Sequence, residues 1–86
     1  MLVVRVPTKW VRDAETRGLD IGTIEKRGVS CMLRGTREQI EEALSDASFY
    51  ATAECGEGKD MDASYRPLVR SAARAVRRLR AALESV

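Results

Sequence analysis

The residues of this chain whose type and spacing could do chemistry are the arginines of its last quarter: Arg66, Arg70, Arg74, Arg77, Arg78 and Arg80. Arg70, Arg74, Arg77 and Arg78 recur at spacings of three and four, so a helix would carry them on one face. The chemistry such a face offers is anion recognition. It could track phosphates, each contact releasing counterions and making affinity fall with salt. Three readings compete: a face that is solvated or paired within the chain, then a face for an acidic protein partner, then a nucleic-acid face. Against the last stand a net charge of only +2, the lack of a nucleic-acid-binding motif, and the absence of an aromatic residue interleaved for base stacking.

Other chemistries have less to work with. The chain holds no histidine and two cysteines, which excludes histidine-based acid–base catalysis, triads that use histidine, and zinc sites that need an imidazole. Spacing alone establishes no disulfide between Cys31 and Cys55, and Cys31, inside the apolar run VSCML, reads as a small hydrophobe. The glycines of Cys55-Gly56-Glu57-Gly58 lack the strand-before, helix-after context of a phosphate cradle. Asp60 and Asp62 lack the remaining ligands of a calcium loop. Asp13, Glu15, Glu38 and Glu42 have the placement of helix-surface carboxylates. The expectation is a protein that is not an enzyme and needs no cofactor or metal.

What must position the arginines is a helix from Tyr65 to Val86. Tyr65, Val69, Ala72, Val76, Leu79, Leu83 and Val86 fall four and three apart, forming an apolar stripe opposite the basic face. Pro67 suits its first turn, and Asp62 or Ser64 is the expected cap. With Val69, Val76 and Leu83 at one heptad position and Ala72, Leu79 and Val86 at the other, the stripe could also pair with a second copy as a short coiled coil. A small monomer needs that same stripe for its own core.

Upstream, Leu2–Val6 is β-branched and stops at Pro7, which predicts a strand. Thr8 is the expected cap of a helix from Lys9 to Arg17 ended by Gly18, with Trp10 as a core anchor. Thr23–Lys26 and Val29–Leu33 read as a hairpin about Arg27-Gly28, with Val29, Cys31 and Leu33 on its buried face. Thr36 and Gln39 fit a capping box for a second helix ending near Glu54 and burying Ile40, Ala43, Leu44, Ala47 and Ala51. The whole is an α+β fold of order β-α-β-β-α-α, a three-stranded antiparallel sheet against three helices in a single domain.

At 86 residues, 44% hydrophobic and 33% charged, the composition is that of a soluble globular domain. The apolar runs are too short for a membrane span or a secretory leader, making the cytoplasm the default location. Residues 1–35 carry +3, residues 36–62 carry −6 and residues 63–86 carry +5, which sum to the +2 of the chain. The acids Glu38, Glu41, Glu42 and Asp46 of the second helix are therefore expected to pair with arginines of the third.

Three stretches, TKWVRDAETRGL, EALSDASFYA and YRPLVRSAARAV, together resemble a group of small uncharacterised proteins of actinobacterial genomes and their phages, similar in length and segment order. The loop from Cys55 departs from that pattern. No activity is attached to the group. The resemblance implies a phage or accessory-gene origin and a small interaction protein, such as a modulator that binds a host or defence protein. The alternative is an accessory nucleic-acid binder using the arginine face.

Overall fold

The computed structural model describes residues 1–52 and 66–85. Its elements are β1 (Leu2–Pro7), α1 (Thr8–Thr16), β2 (Thr23–Arg27), β3 (Ser30–Gly35), α2 (Arg37–Ala51) and α3 (Arg66–Glu84). The architecture is α+β in the expected order. The strands form one antiparallel sheet, β1-β3-β2, with Val6 opposite Cys31 and Ile24 opposite Leu33.

Alternation along the strands gives the sheet one buried and one exposed side. Val4, Val6, Cys31 and Leu33 are buried, whereas Val3, Arg5 and Arg34 are exposed. The helices close the buried side: α3 packs on β1 and on α2, and α1 also reaches α3, β1 and β3. Trp10, Val11, Ile21, Ile40, Ala43, Ala47, Ala72, Ala75 and Leu79 complete the core with those strand residues. Among the described residues no helix is long and apolar enough to cross a membrane.

Local chemistry sets the ends of the elements. Thr36 and Gln39 form the capping box, with Gln39 N–H donating to Thr36 Oγ1 at 3.2 Å and Thr36 N–H to Gln39 Oε1 at 2.9 Å. The first helix is corrected at its start: Pro7 is the N-cap and no side chain caps it. Thr8 lies inside the helix, and its hydroxyl donates to the Gly28 carbonyl at 2.7 Å, beside Cys31 Sγ. The hairpin is also shifted. Arg27 pairs with Ser30, so Gly28 and Val29 make the turn, with Gly28 at φ +71°. Val29 therefore leaves the buried face where alternation had placed it and is 90% exposed. Only a residue without Cβ takes such a φ cheaply, which fixes the turn at Gly28.

In α3 the buried stripe is Leu68, Ala72, Ala75 and Leu79, while Val69, Val76 and Leu83 are half-buried beside it. Ala72 and Leu79 thus belong to the chain's own core. The helix is turned by about one residue from the heptad reading, because alanines fill both candidate stripes and the neighbouring elements select between them. Tyr65, Val86, the Cys55 loop and the expected caps Asp62 and Ser64 lie outside the described residues, and α2 ends at Ala51. Cys31 is a buried free thiol.

Candidate polyanion-binding site

The ion pairs among the described residues leave the arginine face of α3 without a described carboxylate partner. Among the described side chains, which leave out Arg66, no acid of α2 pairs with an arginine of α3, against the expectation. Asp46 accepts from Arg17, the C-cap of α1, Nη2–Oδ2 2.9 Å, and from the Trp10 indole N–H at 3.1 Å. Glu41 lies 3.8 Å from Arg37 on its own helix. Glu15 pairs with Lys26 and Glu25 with Arg27. The strongest of these contacts is that of Arg17. The hydrogen bonds it donates to Asp46 hold its guanidinium even further above its ordinary range, against a smaller opposing effect of burial and with a lesser rise from its bond to Asp13.

No described carboxylate pairs with Arg70, Arg74, Arg77 or Arg78, and all four are exposed. Because α3 lies along β1 and touches α1, three of them face residues far away in sequence. Two adjoining grooves result. In the first, of about 390 Å³, Arg74, Arg77 and Arg78 stand across from Arg5, with Val6 and Pro7 on the wall. In the second, of about 420 Å³, Arg74 and Ser71 stand across from Lys9 and Arg12 at the start of α1. Pro7, Val29 and Arg74 border both, and among the described residues no carboxylate lines either.

Arg70 is exposed outside these grooves. Arg5, Lys9 and Arg12 join the site although sequence reasoning passed over them. Their signal was faint: Arg5 occupies an outward position of β1, and Lys9 sits in the first turn of α1, the positive end of its dipole. A cation there is disfavoured by roughly 0.3–1 kcal/mol. The residues proposed as a dimer seam divide, Ala72 and Leu79 being enclosed while Val69, Val76 and Leu83 keep partial exposure. Among the described residues no cluster of three histidine, cysteine, aspartate or glutamate side chains could hold a metal.

Six cations facing one another across narrow grooves focus a positive potential and attract anions. Five are arginines, whose planar forks match phosphate or carboxylate two bonds at a time. No protein-family model, curated protein or solved structure matches the chain.

Proposed function

We propose that this chain is a small interaction protein, not an enzyme, that docks an anionic macromolecule on the basic grooves between α3, β1 and α1. A cytoplasmic place goes with that reading. The observation that carries it is that six cations share two grooves that no carboxylate lines among the described residues. Like charges gathered in this way oppose folding unless something outside the chain neutralises them. Size-exclusion chromatography with light scattering, at low and high salt, tests it using a mixed DNA and RNA pool and, separately, polyglutamate. Co-elution with either at low salt, lost at high salt, is expected; migration alone in every condition would end the proposal.

A second reading keeps the modulator implied by the resemblance, with the acidic surface of a host or defence protein as the partner. What favours it is the apolar material at the grooves: Val6, Pro7 and the exposed Val29.

A further inference from the structure

We infer that the two grooves together clasp the sugar–phosphate backbone of a nucleic-acid duplex, Arg5, Lys9 and Arg12 sharing its phosphates with Arg74, Arg77 and Arg78. This rests on the anionic-partner reading and names the partner.

Charge density is the first argument. Arg74 to Arg78 span about 6 Å of helix axis at 1.5 Å per residue, and three further cations face them across the grooves. A duplex carries a negative charge about every 1.7 Å of its axis, whatever its sequence. A folded protein would have to crowd as many carboxylates into one patch, against their own repulsion.

The lining of the grooves also differs from that of a protein interface. Protein interfaces concentrate their affinity in aromatic and other bulky anchors with charges kept to the rim. Here the cations line the grooves themselves and, among the described residues, no aromatic side chain joins them. The same lack weighs against single strands, which are held by stacking bases on aromatic rings. A backbone grip on a duplex needs neither.

An exposed apolar side chain divides the two grooves. The Gly28-Val29 turn joins β2 to the central strand β3 and borders both grooves, held to the start of α1 by the Thr8 N–H donating to the Val29 carbonyl at 3.0 Å, with Val29 90% exposed. The major groove of B-form DNA is wide enough to take an exposed side chain against its base edges. With Val29 there, cations of the grooves on its two sides reach the phosphates that flank it. Val29 carries no donor or acceptor, so the grip is on backbone and shape and not on base sequence.

The test is fluorescence anisotropy with a labelled 16-base-pair duplex of mixed sequence, the corresponding single strand and polyglutamate, titrated between 50 and 200 mM NaCl. The duplex is expected to bind tightest, and with six phosphate contacts its affinity should fall roughly 10³-fold across that range. The joint substitution Arg5→Gln, Lys9→Gln and Arg12→Gln leaves every arginine of α3 in place. It should lower the slope of log affinity against log salt by about three. Arg80→Gln, which removes one charge from α3 outside the grooves, should change the slope by much less. Tighter binding to polyglutamate or to the single strand, or a slope unmoved by the triple substitution, would overturn the duplex assignment while leaving an anionic partner standing. No binding to any of the three at 50 mM would remove both. A circular-dichroism melt of the triple variant, expected at or above the parent midpoint, separates lost contacts from lost fold.

Discussion

Arg17, the C-cap of α1, and Asp46 of α2 form a two-pronged ion pair, and the same carboxylate accepts the indole N–H of Trp10. Arg17 also lies over the Tyr50 ring, 4.6 Å from its centroid, and bonds Asp13 at 2.9 Å. One acid thereby joins two helices through a buried tryptophan and a half-exposed arginine. It also accounts for an acid of α2 that would otherwise have been available to α3.

Removing that acid should be expensive. Asp46→Ala leaves the fully buried Trp10 without its acceptor and Arg17 without its main partner. An unsatisfied buried donor beside an unpaired charge costs about 2–4 kcal/mol. Arg17→Gln should cost only about 1 kcal/mol, because that side chain is partly exposed and its ion pairs are screened. Urea denaturation would read both as lower midpoints with an unchanged slope. Equal losses for the two variants would show that the tryptophan contact contributes little.

A second pair of substitutions separates the two stripes of α3. Leu79 is fully enclosed and Val76 half-exposed. Leu79→Ala should lose about 2–5 kcal/mol and Val76→Ala well under half of that. With Ala72 and Leu79 inside the chain's own core, a coiled-coil partner would meet only half of a heptad seam. Light scattering of the free protein is therefore expected to return a mass near 9.5 kDa. A doubled mass, returned to the single value by Val76→Glu with Leu83→Glu, would restore the homodimer.

The order of elements was legible because each is written locally: alternating apolar residues in β1 and β3, the threonine–glutamine box before α2, the long periodic run of α3. What periodicity could not place was rotation. Apolar residues cover much of α3, so Val69-Val76-Leu83 and Leu68-Ala75-Ala82 are both plausible stripes. Only packing against β1 and α2 selects the second. Val29 misled for a related reason, since alternation continues through a two-residue turn and only the φ of Gly28 ends the strand. The arginines of α3 were visible at once, but their partners in the site were not. Arg5, Lys9 and Arg12 are exposed residues on two other elements, and nothing along the chain ties them to residues some sixty positions later. The acids misled too, because nearness in sequence between α2 and α3 says nothing about Arg17, which reaches Asp46 from the other side of the sheet's first hairpin.

Lys9 gives the sharpest separation of folding from function. It stands in the first turn of α1, which has no side-chain cap and no acidic residue, so a cation there meets the positive end of the helix dipole. Across the groove it also faces Arg74. Lys9→Glu reverses both relations. It should stabilise the free protein by roughly 0.3–1 kcal/mol, which for a domain of this size raises the melting midpoint by about 2–6 °C. Affinity for the duplex at 50 mM salt should fall about tenfold or more, since one phosphate contact is lost and a repulsion takes its place. A melt and an anisotropy titration on one preparation read both. A higher midpoint with unchanged duplex affinity would make Lys9 an idle surface residue. A lower midpoint would mean that Lys9 stabilises α1, and the argument that its position is held against the interest of folding would fail.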